Sequence, residues 1–187
     1  MNELSQIISA ATAAIEYGYF HLNIDGGDPV YRERVYCYEL YHQMRCRWPA
    51  NTPYYLNGEV DKAAHPILKK LGADYAKPDL LVHQPGKMGG NFAVIEVKES
   101  EAPPAGIRKD LKTLSLFINR VGYKRAIYLF YGHRTDEQLV KRVQEFAAEI
   151  EELAPIELWL HQEVGQCATR IIMLHRTATS GGPWASH

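Results

Sequence analysis

Two short apolar runs separated by six turn-forming residues constrain this chain more than any other feature. Asp79–Gln84 and Asn91–Lys98 are rich in Leu, Val and Ile, and Pro85-Gly86-Lys87-Met88-Gly89-Gly90 lies between them. Runs of this length and composition read as strands, and a Pro/Gly-rich link of this size closes a β-hairpin. Side chains alternate across a strand. Ala93, Ile95 and Val97 therefore take one face, and Phe92, Val94, Glu96 and Lys98 the other. On the partner strand Asp79, Leu81 and His83 share a face. If the turn is Pro85–Gly90, Gln84 pairs with Asn91 and, counting back, Asp79 stands opposite Glu96. Directly opposed residues have Cα atoms about 4.5–5.5 Å apart. Two carboxylates that close repel unless one is protonated or a cation lies between them. A hard divalent cation takes oxygen ligands of this kind.

The rest of the chain supplies helices for both faces of a sheet. Leu4, Ile7, Ile8, Ala11 and Ile15 recur at helical spacing behind Asn2, a good N-cap. Asp28-Pro29 predicts the start of a second helix ending near Arg47, before Trp48-Pro49. Tyr54–Val60 predicts a strand. A third helix is expected from about Ala105 to Val121, with Ile107, Leu111, Leu114, Ile118 and Val121 as its apolar stripe. Arg125–Tyr131 is a buried-strand pattern, Asp136–Leu153 an amphipathic helix, and Ile156–Leu160 and Thr169–Leu174 closing strands. The order α-α-β-β-β-α-β-α-β-β predicts an α/β chain, an α+β mixed sheet flanked by helices. Residues 1–176 read as a single domain, and the Thr/Ser/Gly/Pro-rich stretch 177–187 as a flexible tail.

Composition narrows the function. With 21 Lys plus Arg against 22 Asp plus Glu, the net charge of −1 excludes a histone-like polycation but not a local basic patch. No run reaches the roughly 18 apolar residues that span a bilayer. No secretory signal is visible, and three scattered cysteines (Cys37, Cys46, Cys167) form no CxxC pair. A reducing, cytoplasmic setting without a structural zinc site is the expectation.

Pro78-Asp79 followed seventeen residues later by Glu96-Val97-Lys98 resembles the signature of the PD-(D/E)xK nuclease superfamily, the restriction-endonuclease-like proteins. The segments "KPDLLVHQPGKMGGNFAVIEVKES" and "RKDLKTLSLFINRVGYKRAIYLFYG" are similar to a small prokaryotic group within it whose role is poorly defined. The likeness covers about residues 54–132, and more loosely the helix around Glu39. It implies a core of α-β-β-β-α-β, the order read here from Pro29 to Tyr131. It also implies a metal-dependent nuclease that hydrolyses phosphodiester bonds, in DNA more than RNA. Asp79 and Glu96 would ligate Mg²⁺ or Mn²⁺ with the backbone carbonyl of Val97. Lys98 would orient or deprotonate the attacking water and stabilise charge on the phosphate, its own pKa lowered beside the metal. An early-helix carboxylate is expected to join them. Glu39 is preferred over Glu33 because "YELYHQMR" resembles that helix, and Glu59 in "NGEVDK" is a second candidate. Asp110 is expected to be structural. Lys109, Lys112, Arg120 and Lys87 are the candidate phosphate contacts. Without a sequence-reading module, specificity would come from a homodimer or a partner protein. The alternative is a non-catalytic module of the same fold that binds nucleic acid or serves as an assembly subunit.

Overall fold

A computed structural model describes residues 3–58, 69–70 and 76–175. Its order is α1 (Leu4–Ala13), α2 (Tyr17–Phe20), α3 (Glu33–Cys46), β1 (Tyr55–Gly58), β2 (Leu80–His83), β3 (Asn91–Glu99), α4 (Pro104–Asn119), β4 (Arg125–Tyr131), α5 (Glu137–Ala148), β5 (Ile156–His161) and β6 (Thr169–Leu174). The six strands form one mixed sheet in sequence order. The pairs β1–β2, β2–β3 and β5–β6 are antiparallel, whereas β3–β4 and β4–β5 are parallel. A parallel neighbour needs a crossover, and α4 and α5 supply the two.

The alternation along the strands divides the core in two. Leu81, Val94, Tyr128, Phe130, Leu158 and Leu160 pack under α4 and α5. Leu80, Val82, Ala93, Ile95, Val97, Ile127 and Leu129 pack under α1 to α3. Both faces are covered, which explains why β3 and β4 read as almost continuous apolar runs. Among the described residues no helix is long and apolar enough to cross a membrane.

Several boundaries depart from the sequence expectation. Asp28-Pro29 does not open the second helix, because Val30 is held in an extended bridge to Leu22 by two 2.9 Å backbone hydrogen bonds. Arg32 is still extended, and α3 begins at Glu33. Asn2 and the stretch 177–187 lie outside the described residues, and the N-cap of α1 is Glu3, without a side-chain cap. The short helix α2 was not anticipated. Asp136 caps α5 as expected for its residue type, its carboxylate accepting from Leu139 N–H at 3.0 Å. That helix ends at Ala148, five residues before the expected Leu153. The hairpin register holds for Leu80↔Ile95, Leu81↔Val94 and Val82↔Ala93, then slips so that His83, not Gln84, faces Asn91. A one-turn 3-10 helix over Met88–Gly90 occupies part of the link. Gly90 is required where it stands, since a Cβ there would meet Gln84 at 2.6 Å.

One buried carboxylate on β5 ties distant elements together. Glu157 accepts two hydrogen bonds from Arg125, at 2.7 and 2.9 Å, and one from Trp159 Nε1 at 3.1 Å. Burial pushes its carboxyl up, but Arg125 and Trp159 outweigh burial and hold it below the usual range. Arg125→Ala leaves that charge buried without its main partner, so it should cost about 3 kcal/mol, read as a lower midpoint in urea unfolding at pH 7. The depressed carboxyl lends stability that is present above its unfolded pKa and lost as pH falls through the acid range. The deficit of Arg125→Ala against wild type should therefore shrink toward pH 3; an equal deficit at both pH values would contradict the ion pair.

Candidate functional site

β2 pairs with β3 only as far as Leu80 and Ile95, and the last residues of β3 run on past it. At that step the side chain of Asp79 takes over from the ladder. Its Oδ2 accepts the Val97 N–H at 2.7 Å. The unmade strand bond is thus replaced by a carboxylate. Glu96 stands on the α4 side of β3, beside Tyr128 of β4 in the parallel register, and is only 6% exposed. Its carboxyl is within hydrogen-bond reach of Asp79. Two carboxyls bond to each other only when one holds a proton. Burial, then charge repulsion and the mutual contact, push Glu96 well above the ordinary carboxylate range. Burial is also the main cause that raises Asp79, to about 6, against the lowering effect of the Val97 N–H.

Lys98 is the next side chain on the face of Glu96. Its Nζ lies 2.9 Å from Glu33 Oε2 and 2.9 Å from Asp110 Oδ2. Asp110 also accepts from the Tyr128 hydroxyl at 3.1 Å. Burial pulls the ammonium down, but Asp110 and Glu33 more than reverse it and hold Lys98 above its usual range. Without a metal the lysine is thus held as its ammonium; the lowering expected beside a metal concerns the loaded site. Lys98 is a fixed cation here, and the opposed carboxylates are the reason. Asp110 has the structural contacts expected of it, on the second turn of α4.

Glu33, rather than Glu39, is the helix carboxylate that enters the cluster. It opens α3 at the head of the buried stripe Tyr36, Cys37, Leu40 and Met44. Glu39 points along its own helix and accepts from Gln43 Nε2 at 2.7 Å. The preference for Glu39 is corrected on that geometry. Glu33 stands four residues before the buried Cys37, on the inward side of the helix, whereas the preference for Glu39 rests on the likeness of "YELYHQMR". Glu59 lies outside the described residues. The buried Cys37 thiol is pushed up by burial first, then by Asp79, Glu33 and Glu96, so it sits against the same group. A concavity of about 610 Å³ opens on this cluster, with Glu33, Cys37, Asp79, Tyr38, Tyr41 and Asn57 in its lining. His83, on the neighbouring strand, is bonded to Asn57 Oδ1 at 2.8 Å.

The candidate phosphate contacts are not gathered here. Lys109 and Lys112 flank Asp110 in sequence but stand exposed on the outer side of α4. Arg120 is ten residues along that helix, about 15 Å by helical rise, and pairs with Glu152 at 3.1 Å. Lys87 lies in the hairpin link, at the Asn91 end of β3, seven residues or roughly 23 Å from Lys98 by strand rise.

The donor set meets part of what a hard cation requires. Asp79, Glu96, Glu33 and Asp110 gather near the Lys98 ammonium, and Arg34 and Lys77 line the same concavity. Burial is the first cause that raises Asp79 and Glu96, with their carboxylate neighbours adding to it. Yet among the described residues no three His, Cys, Asp or Glu side chains are arranged as a metal-ligand group. Asp79 and Glu96 would hold an ion only with the Val97 carbonyl and water completing its oxygen shell. Comparisons with protein-family models, with curated proteins and with solved structures find no match.

Crowding of buried carboxyls destabilises the fold. A raised folded-state pKa means that the folded protein holds a proton the unfolded chain releases, so stability falls as pH rises from about 4 through about 6. Asp79→Asn removes one charge but keeps an oxygen for the Val97 N–H. At pH 8 its melting temperature should exceed that of wild type by several degrees, about what 1–2 kcal/mol gives in a domain of this size, and the advantage should fade toward pH 4. A lower melting temperature at pH 8 would mean that the Asp79 charge is needed by the fold.

Proposed function

We propose that the chain is a metal-dependent nuclease of PD-(D/E)xK type, a phosphodiesterase that acts on DNA more than RNA in a cytoplasmic setting. The single observation that carries the reading is the cluster at the β2–β3 step. Asp79, Glu96 and Lys98, separated in sequence as the superfamily signature separates them, meet there beside a concavity. The order α3-β1-β2-β3-α4-β4 around them matches the α-β-β-β-α-β expectation.

A bound Mg²⁺ or Mn²⁺ would supply Lewis-acid polarisation of the phosphate and a more acidic water. Asp79 and Glu96 would hold it as carboxylates, the cation's charge offsetting the burial and repulsion that raise their pKa values. The protein's own residues set the rest. Lys98, fixed by Glu33 and Asp110, presents a permanent positive charge to a phosphoryl oxygen and is poorly placed to take a proton while both carboxylates hold it. Asp79, tethered to the Val97 N–H, keeps its carboxylate at the rim of the concavity, where substrate and water arrive. Tyr128 anchors Asp110 from below, so the lysine is oriented from its second partner.

A second reading is a non-catalytic module of the same fold that binds nucleic acid or acts as an assembly subunit. It is favoured by the structural partners that these residues already have: Asp79 caps a strand and Lys98 bridges two helices. One assay separates the two. Wild-type protein should cut labelled single- or double-stranded oligonucleotides in millimolar Mn²⁺ or Mg²⁺ and stop on addition of chelator. Glu96→Gln should lose cleavage and the metal-induced rise in melting temperature. Lys98→Ala should keep nucleic-acid binding and lose about 10²–10⁴-fold in cleavage, the usual worth of a positioned polar catalytic group. Wild type that binds oligonucleotides but leaves them intact with every metal would establish the module instead, and cleavage indifferent to chelator would point to Asp79 and Glu96 acting as an acid–base pair alone.

A further inference from the structure

Beside the acidic cluster lies a second concavity, of about 510 Å³, where β3 and β4 end. His21, Tyr31, Arg32, His133 and Arg134 line it together with Glu99 and Glu101. Its composition differs from that of a phosphate groove. Arg134 is taken by Glu101 at 3.2 Å, and Glu99 stands on the same wall as Arg32. Cations and carboxylates are balanced, so attraction for a phosphate is weak. What distinguishes the place is its rings.

The His21 imidazole is stacked on the Tyr31 phenol, with centroids 4.5 Å apart and 21° between planes. His133 meets both rings edge-on, at 5.8 and 6.2 Å. Tyr31 is held from below by Phe20 and Tyr131, and its hydroxyl accepts the His133 N–H at 3.0 Å. Tyr17, 47% exposed, stands edge-on to His21 at 6.0 Å. The stack is therefore rigid, half-buried on one side and reachable from the other. Flat polar rings fixed in this way present a surface for another flat ring.

The two concavities adjoin along two chain segments. Arg32 lines this one and Glu33 the acidic one; Glu99 lines this one and Lys98 bonds Glu33. Each is a step of one residue, about 3.8 Å between Cα atoms. A strand with a phosphodiester at Asp79 could extend along these segments toward the His21–Tyr31 stack.

We propose, resting on the nuclease reading, that the substrate is a strand with an unpaired base in the neighbourhood of the scissile phosphate, taken up on the His21–Tyr31 stack. A base inside a duplex has both π-faces covered by its neighbours and cannot enter. A single strand, a frayed end or a flap offers a free face, and stacking on aromatic side chains is the usual way proteins hold such bases without reading their sequence. The lysines on the outer side of α4, suited to a duplex backbone, stand on another surface.

The test is fluorescence anisotropy with a labelled 20-mer oligothymidine and a hairpin duplex of equal charge, in chelator so that cleavage does not intervene. The full chain is used as wild type, His21→Ala, Tyr31→Phe and the double variant Lys109→Ala/Lys112→Ala. Wild type should prefer the single strand. His21→Ala should weaken it about 10-fold, within the range found for loss of one stacked base, and leave duplex affinity unchanged. Tyr31→Phe keeps the ring and should bind the single strand as wild type does, which separates stacking from misfolding. The lysine variant should keep single-strand affinity. Duplex binding equal to or tighter than single-strand binding, or single-strand affinity indifferent to His21→Ala, would overturn the proposal. Metal-dependent duplex cleavage alongside that result would leave the nuclease reading standing. Ring-dependent single-strand binding without any cleavage would sink the nuclease reading and leave the stacking site.

Discussion

The arrangement of this protein around its candidate site depends on where β2 stops. Four residues of β2 pair in an antiparallel sense with one half of β3, while β4 runs parallel to nearly all of it. The free edge thus created would expose backbone N–H groups that burial makes costly to leave unpaired. Asp79 bonds the Val97 N–H and so ends the ladder with a side chain. The same carboxylate is then committed to a position next to Glu96 and to the lining of the concavity. The repulsion between the two carboxyls follows from that placement and adds to the burial that raises them.

Lys98 shows the other half of the compensation. A lone ammonium at this depth would be driven toward its neutral form by burial, yet two helices from opposite sides of the sheet each send it a carboxylate. Glu33 comes from the first turn of α3 and Asp110 from the second turn of α4. This bridge joins the two helical layers across the strand end, so it serves the architecture as well as the chemistry proposed for it. Removing one partner of such a buried pair leaves an uncompensated charge, which is the expensive outcome. The lysine is consequently both structurally constrained and electrostatically permanent, which suits charge stabilisation better than proton abstraction.

Function and stability pull against each other at this point. In the closing strand pairs β4–β5 and β5–β6, Glu157 is matched by Arg125 and the α1 hydroxyl of Thr12 accepts the Ala168 N–H at 2.8 Å, while the buried Tyr131 hydroxyl and His161 Nε2 have no hydrogen-bond partner among the described residues. The acidic cluster instead brings Asp79, Glu96, Glu33 and Asp110 together near Lys98 in a largely covered place. The ring stack lies at the C-terminal ends of the parallel strands, where open sheets leave a crevice. The acidic cluster and the ring concavity thus adjoin at one end of the sheet.

Residue order alone determined the hairpin, the alternation that puts Glu96 and Lys98 on one face, and the three-residue register that brings Asp79 alongside. These are period-two properties, set locally by apolar runs and by Pro/Gly turn chemistry. The helices over 104–119 and 137–148 were legible for the same reason at period 3.6, although α5 stops short of Leu153. Tertiary structure decided what depended on partners far away in sequence. Val30 bonds Leu22, α3 begins at Glu33, and the Glu33 carboxylate, not that of Glu39, meets Lys98. Asp110 and Glu33 reverse the sign of the lysine's pKa shift, which no strand pattern encodes. Lys87 and Arg120 are carried to the far end of the sheet by chain direction, and His21, Tyr31 and His133 are assembled from three separate segments. Charge balance and ring stacking are sums over neighbours in space, and only the folded chain chooses those neighbours.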